Sequence, residues 1–259
     1  MRTNFHTHSL WCDGKDSAEK VVQAAIAKNF KAIGFSSHVA FPLANEWDLA
    51  PDKAQDYVAE ITALKRKYRH SIEIYLGAEA DYIPKTTTPE RSRYREMNLD
   101  YLIGSVHTVL SDSGERVWVD YSPEKLAEGI KKHFNGNPRS FAEAYFRQQR
   151  EMLQFDFDII AHPDLLRKFN HITNFFDEQS QWYKAELEMT ADSIAASGKI
   201  VELNTGAISR GWMNDAYPSA AFRELLRARN VPFILSSDAH TAETVDCAFD
   251  IFGDAENYI

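Results

Sequence analysis

A closed parallel β/α barrel is the fold class this sequence predicts, on three observations. Short apolar runs recur seven times along the 259 residues, amphipathic stretches separate them, and nearly every run ends in a histidine, glutamate or aspartate. Continuous apolar runs, as opposed to alternating ones, mark strands covered on both faces, as parallel strands beneath helices are. An open doubly wound sheet competes, but no glycine-rich phosphate loop follows the first run, which weakens a dinucleotide fold.

The first run, Asn4–His8, leads into Asp16–Phe30, where Asp16 and Glu19 make a variant capping box ahead of Val21, Val22, Ala25 and Ile26. After the run Ala32–Ser37, the stretch Pro51–Tyr68 sets proline at a first helical position and Tyr57, Ile61, Leu64 and Tyr68 on one helical face. The run Ile72–Glu79, a helical pattern at Pro89–Met97 and the run Tyr101–His107 come next. Residues 108–140, with Gly114, Gly136 and Pro138, are the least regular and read as an elaborated loop with a short helix. Helical patterns at Pro138–Gln154, Asp177–Ser197 and Ser219–Arg229 precede the runs Asp158–His162, Ile200–Asn204 and Pro232–Ser237.

Composition narrows the class. At 44% hydrophobic and 26% charged the chain is ordinary globular protein, neither disordered nor collagen-like. Its length suits one domain over 1–259, which buries roughly three quarters of its unfolded-chain surface and needs no staples. Cys12 and Cys247 make no disulfide framework and read as free thiols of a reducing cytosol. With no signal-peptide pattern and no apolar run near about 18 residues, the expectation is a cytoplasmic protein that does not span a membrane. The charge balance, 29 − 38 = −9, argues against non-specific nucleic-acid binding. An anionic small-molecule substrate then requires local positive charge, which metal ions supply.

The run ends carry the chemistry. The first ends in His6-Thr7-His8, and residues at i and i+2 on a strand share a face, so both rings can reach one ion. The others end in His38, Glu79, His107, His162 and Asp238-Ala239-His240. One such histidine alone reads as a hydrogen-bonded structural residue. Here six of the nine histidines fall at run ends, which a parallel barrel gathers on one face, while His70, His133 and His171 fall elsewhere. Imidazoles and carboxylates crowded at one mouth need the compensation that metals provide.

These ligands, in this order, resemble the polymerase and histidinol phosphatase (PHP) superfamily. Gly77-Ala78-Glu79-Ala80-Asp81-Tyr82-Ile83-Pro84, His162-Pro163-Asp164-Leu165-Leu166-Arg167-Lys168, and Glu202-Leu203-Asn204-Thr205-Gly206 with Arg210 resemble its monofunctional histidinol-phosphatase branch. The resemblance implies a distorted (β/α)7 barrel, TIM-barrel-like, with a metal site at the carboxyl ends of the strands. It implies two to three divalent transition-metal ions, zinc, manganese or iron. His6, His8, Glu79 and Asp238 would hold one, and Glu79 would bridge to a second held by His107 and His162. His38, His240 and a ligand from the first loop would hold the third. In that place many members carry histidine, whereas this chain has Trp11-Cys12-Asp13-Gly14, so Asp13 is assigned and Cys12 is read as a small buried neighbour.

The implied reaction is hydrolysis of L-histidinol phosphate to L-histidinol and phosphate, in histidine biosynthesis, by attack of a metal-bridging hydroxide on phosphorus. Asp238 or His240 would then shuttle the proton to the leaving alkoxide, with Glu79 the third catalytic group. Arg167 and Arg210 lie on loops after the fifth and sixth runs, and a guanidinium fork matches phosphate oxygens. For the alcohol, Asp81, Glu46 or Asp48 would pair with the amine and Phe41, Trp47 or Tyr82 would stack on the ring. Glu202 and Asn204 either orient the following loop or pack inside the barrel. Two rival readings keep the fold: a PHP phosphoesterase for nucleotides or diesters, and a non-catalytic PHP module. The absence of a lysine at any run end speaks against an acyl-hydrolysing metal barrel. Oligomeric state is not readable from the sequence.

Overall fold

Each of the seven apolar runs forms a strand, and all pair in parallel. The computed structural model describes residues 2–43 and 45–253. Strand β1 (Thr3–Asn4) leads to helix α1 (Ala18–Ala27), β2 (Ala32–Phe35) and the short β3 (His38–Val39). Helix α2 (Ala54–Tyr68) precedes β4 (Glu73–Asp81), and a 3-10 segment at Arg91–Met97 precedes β5 (Tyr101–Ser105). The hairpin β6 (Thr108–Leu110) and β7 (Arg116–Trp118), then α3 (Pro123–His133) and α4 (Pro138–Met152), separate β5 from β8 (Ile159–Ile160). Helices α5 (Asn170–Thr173) and α6 (Gln181–Ser197) precede β9 (Ile200–Asn204). Helices α7 (Gly206–Ser209) and α8 (Ala220–Arg227) precede β10 (Phe233–Ser236), and α9 (Phe249–Phe252) follows it.

The strands pair in the order β1-β2-β4-β5-β8-β9-β10, with β3 added to the end of β4. The two edges meet at one place. Thr7 bridges Ala239 in parallel, and the amide of His8 donates to the Ala239 carbonyl at 2.8 Å. The barrel is therefore nearly closed, and its seam lies at the mouth, between the two segments that carry the His6/His8 and Asp238/His240 pairs.

Two apolar layers hold it. The larger lies between strands and helices and includes Val21 and Val22 of α1, Tyr57 and Ile61 of α2, and Phe141, Tyr145 and Phe146 of α4. The smaller fills the barrel, where Tyr101, Ile103, Ile159, Ala161 and Ile234 pack with Phe5, Tyr75 and Ile200. The Tyr101 ring spans that interior, and its hydroxyl lies 2.6 Å from the Phe5 carbonyl and 3.0 Å from that of Phe35. A Cβ on Gly34 would come within 2.3 Å of the hydroxyl oxygen, and one on Gly77 within 2.3 Å of the ring, so both glycines exist to admit it.

Three local expectations are corrected. Ser17, not Asp16, caps α1, its side chain accepting from the Lys20 amide at 3.3 Å; Asp16 instead accepts from Lys20 Nζ and from the Ala242 amide, tying the helix to the far end of the chain. The pattern at Pro89–Met97 makes a 3-10 segment with a kink at Tyr94, ended by Asn98 in the left-handed region at φ 47°. Residues 108–140 contain a hairpin as well as a helix, and that helix runs 11 residues. Among the described residues no helix is long and apolar enough to cross a membrane.

Candidate metal centre

The inward faces of the strands climb from apolar to polar. On β4, Tyr75, Gly77, Glu79 and Asp81 follow at intervals of two and share one face, and on β9 Ile200, Glu202 and Asn204 do the same. The alternation that packs the base of the barrel thus lifts four polar side chains into its mouth.

Glu79 stands at the centre. Its Oε2 lies 3.0 Å from Nε2 of His6, 3.0 Å from Nδ1 of His38 and 3.7 Å from Nε2 of His8. Its Oε1 lies 3.1 Å from Nε2 of His162 and 3.5 Å from Nε2 of His107. Burial pushes this carboxyl up, but the rings of His6, His38 and His107 hold it well below the usual carboxylate range.

The last strand supplies the opposite wall. Asp238 has φ 50°, a left-handed conformation uncommon outside glycine, at the turn carrying Asp238 and His240. Its Oδ1 lies 3.2 Å from Nε2 of His8 and 3.7 Å from Nε2 of His6. The first loop closes over this end, the Lys15 amide donating to the His240 carbonyl at 2.7 Å. Asp13 is brought in with it: Oδ2 lies 3.0 Å from Nε2 of His240, and Oδ1 lies 3.7 Å from Nε2 of His38. Cys12 sits behind, its Sγ 3.4 Å from Nδ1 of His8.

A second layer of carboxylates aims the rings. Nδ1 of His6 lies 2.6 Å from Oε1 of Glu202, whose Oε2 accepts from the His162 amide and from Asn204. Nδ1 of His107 lies 2.7 Å from Oδ1 of Asp81. A carboxylate only accepts, so in each ring Nδ1 carries the proton and Nε2 faces the cluster. Asp81, expected on the substrate amine, is spent here; its position two residues after Glu79 on one strand face was the available signal.

The donor set fits metal ions. Ligand atoms lie within 4.8 Å of one another in three groups: His6, His8 and Asp238; His38, Glu79 and His107; and His8, Asp13, His38 and His240. His162 belongs to none of the three but faces Glu79. Nε2 of His8 and Oδ1 of Asp13 are buried without a hydrogen-bond partner, a cost that a cation removes for a lone pair aimed at it. Burial and the neighbouring His240 and His38 rings lower His8 to about 3, which leaves its imidazole neutral, the form that ligates.

The two arginines part company. Arg210 donates from Nη2 to Asp238 Oδ2 at 2.7 Å, and its Nη1 lies 3.1 Å from Nδ1 of His240. Gly206 makes room, since a Cβ there would come within 2.7 Å of that guanidinium and 2.8 Å of the Asp238 carboxylate. Arg167 does not reach the cluster. The short 3-10 turn Leu165–Arg167 directs it to Glu178 at 2.8 Å and Asp164 at 3.5 Å, beside a separate cavity with Trp212 and Asp215. The next residue, Lys168, faces the metal side instead.

The mouth is a cavity of about 470 Å³ lined by cluster residues and by Trp47, Trp118, Asp120, Tyr121, Lys168 and Arg210. Of the groups expected to meet the alcohol, only Trp47 lines it. Asp48 accepts from Asn45, Phe41 packs on Tyr94, and Tyr82 packs on Phe155. Trp118, Asp120 and Tyr121 carry no sequence signal, because they fall in the irregular stretch whose hairpin no periodicity announces.

Fold and donor set together define a metal-binding β/α barrel. The chain belongs to the PHP domain family, whose model matches residues 4–206. It is 30% identical to the probable histidinol-phosphatase of Schizosaccharomyces pombe, over all of this chain and 86% of the relative. Among solved structures, HisK of Listeria monocytogenes superposes with a TM-score of 0.85 at 20% identity, covering 97% of this chain and 100% of that one. Histidinol phosphate phosphatase of Lactococcus lactis, complexed with zinc, L-histidinol and phosphate, superposes with a TM-score of 0.68 at 16% identity, covering 99% of this chain and 94% of that one.

Proposed function

We propose that this protein is a metal-dependent phosphomonoesterase that hydrolyses L-histidinol phosphate to L-histidinol and phosphate, a step of histidine biosynthesis. The full-length similarity to a histidinol-phosphatase supports the substrate. The observation that carries the chemistry is Glu79, buried and within 3.0–3.7 Å of five imidazoles. His6, His8, Glu79 and Asp238 would hold one ion, Glu79 with His107 and His162 a second, and Asp13, His38 and His240 a third. Bound there, divalent ions supply Lewis acidity, an acidified water and positive charge for a phosphate dianion.

The protein's own groups do the rest. Glu202 and Asp81 hold the His6 and His107 rings in one tautomer. Arg210, on the cavity wall, offers its guanidinium to phosphate oxygens and keeps Asp238 aimed. Asp238 and His240, side by side at 3.5 Å, would relay the proton given up by the attacking water to the departing alkoxide. The net charge of −9 and the small cavity favour a small monoester over nucleic acid, and a cytoplasmic location fits the free thiols.

The test is phosphate release from histidinol phosphate by purified protein with zinc, manganese or iron controlled. Histidinol phosphate is expected to exceed nucleotide monophosphates and diesters in kcat/KM at least tenfold, an order-of-magnitude margin for a pocket that reads its substrate's polar groups. Comparable rates on all three would overturn the reading.

A further inference from the structure

Two of the cluster rings have a carboxylate behind them, Glu202 for His6 and Asp81 for His107. His8 has a thiol. Sγ of Cys12 lies 3.4 Å from its Nδ1 and 3.6 Å from the Ser9 carbonyl. A thiol has one hydrogen and lone pairs besides, so it donates to that carbonyl and keeps a lone pair for Nδ1–H. Oδ1 of Asp13 also faces Nδ1, but at 3.9 Å it is too far for a hydrogen bond. The chain is folded tightly to bring this about. The Cys12 amide donates to the Ser9 carbonyl at 3.0 Å, closing a turn that carries the side chain back over His8. A Cβ on Gly14 would come within 2.4 Å of the Ser9 nitrogen and 2.7 Å of the His8 carbonyl carbon, so only glycine lets the loop lie this close. Trp11 pins the outside of the turn, its ring against Tyr57 at 6.2 Å and its Nε1 donating to Glu60.

His8 has particular need of such a partner. It belongs to two of the three groups that could hold an ion, one with His6 and Asp238 and one with Asp13, His38 and His240. Its ring stacks on His38 at 4.4 Å and on His240 at 4.2 Å, which restrains the plane of the ring but not which edge carries Nδ1. A half-turn about Cβ–Cγ would keep that plane and put a carbon where Nε2 now faces Asp238 Oδ1 at 3.2 Å. A neutral imidazole carries one N–H, so whatever accepts that hydrogen decides both the tautomer and the edge. We propose that Cys12 is the positioning residue of His8: its Sγ accepts the Nδ1 hydrogen and leaves the Nε2 lone pair to the metal. This rests on the metal-centre reading above and not on the choice of phosphoester.

The experiment compares the full chain with its Cys12→Ala and Cys12→Ser variants, using zinc as the probe. Both variants remove the sulfur, and only serine keeps an acceptor. Zinc affinity is read by competition with a chromophoric chelator. Cys12→Ala is expected to weaken one zinc equivalent roughly 10-fold, the low end for a partner behind a ligating histidine because sulfur is a weak acceptor. Cys12→Ser should stay within about threefold of the wild type. In a long-range proton–nitrogen correlation spectrum of the zinc-loaded wild type, His8 should show a proton on Nδ1 and a metal-bound Nε2. In Cys12→Ala that proton should exchange faster with water. Melted in excess chelator, the two variants should unfold together, since the difference between them acts on the metal alone.

Equal losses of zinc affinity in the two variants, or a gap in their melting as large without zinc as with it, would reduce Cys12 to a packing residue and overturn the assignment. A thiolate-to-metal charge-transfer band in the cobalt-loaded wild type would make the sulfur a ligand and overturn it too. Should the wild type bind no zinc, the metal-centre reading falls and this proposal with it. Zinc held as tightly by Cys12→Ala as by the wild type removes the role of Cys12 alone.

Discussion

Arg210 grips Asp238 and His240 at once: Nη2 lies 2.7 Å from Asp238 Oδ2 and Nη1 lies 3.1 Å from His240 Nδ1. The two residues it touches are the pair proposed to serve the leaving group, and the guanidinium also lines the cavity. One residue therefore couples phosphate binding to the aim of that pair. Arg210→Ala is expected to lower kcat/KM for the phosphate monoester by roughly 10- to 1000-fold, about 1.4–4 kcal/mol of transition-state stabilisation. Arg210→Lys should recover only part of this, because one ammonium cannot span two partners in a fork. Steady-state kinetics on both variants, with metal content measured alongside, check it; a lysine variant as active as wild type would show that charge alone matters.

Glu202, on β9, divides its two oxygens between the segments that follow β1 and β8. Oε1 fixes Nδ1 of His6 at 2.6 Å, and Oε2 accepts from the backbone amide of His162 at 3.2 Å. Glu202→Gln puts an amide where both neighbours donate, so one contact must turn repulsive. Partners that orient a ligating histidine are worth about 10- to 100-fold in metal affinity, and a loss of that size is expected here. Competition with a chromophoric chelator measures it directly. The variant should regain activity at raised metal concentration, which separates lost affinity from lost catalysis.

How far the sequence reached depends on the range of the signal. All seven strands are legible because a parallel strand covered on both faces is mostly apolar, and the run Ile200–Asn204 matches its strand end to end although Glu202 and Asn204 interrupt it. The histidines and carboxylates at the run ends were visible for a related reason: the barrel topology converts position along a strand into position in space. Arg167 shows where this stops. Its loop position was readable, but the turn Leu165–Arg167 decides which of two adjacent cations faces inward, and that depends on Glu178 and Asp164 holding Arg167 outside. Asp120 and Trp118 were hidden for want of periodicity in a three-residue strand.

The barrel interior offers a test of packing that does not touch the chemistry. Tyr101 Oη bonds the carbonyls of Phe5 and Phe35, and a Cβ on Gly34 would come within 2.3 Å of that oxygen. Tyr101→Phe should cost about 1–3 kcal/mol by leaving buried carbonyls without their donor. Gly34→Ala should cost about 1–3 kcal/mol by overpacking. The two changes meet at one atom, so the double variant is expected to be more stable than their sum, by about 0.5–3 kcal/mol. Urea unfolding of the four proteins gives the coupling, and strict additivity would mean that the barrel relaxes around the added methyl group without involving the tyrosine.

Glu79 and His38 face each other at 3.0 Å, yet their loss should not be equivalent. Glu79 is within reach of five rings and is the one buried carboxylate shared by both proposed ions of the inner pair. His38 stands at the rim, where Asp13 and His240 are also at hand, 3.7 Å and one aromatic contact away. Glu79→Gln keeps the shape and removes the charge, so two ions lose a common anion and their mutual repulsion is left uncompensated. His38→Asn removes one ligand from a group with others in reserve. Metal that binds the folded state alone stabilises it by RT ln(1 + [L]/Kd), which gives a second readout besides turnover. The expectation is that Glu79→Gln loses at least about 1000-fold in kcat and most of the rise in Tm that metal confers, the scale set by removing a group acting on the reacting centre. His38→Asn should lose about 10- to 100-fold and keep the larger part of that rise. Thermal melts with and without chelator, run beside the kinetics, separate the two. A His38→Asn protein as inactive as Glu79→Gln, with equally little metal stabilisation, would place the rim histidine in the inner pair and redraw which residues share which ion.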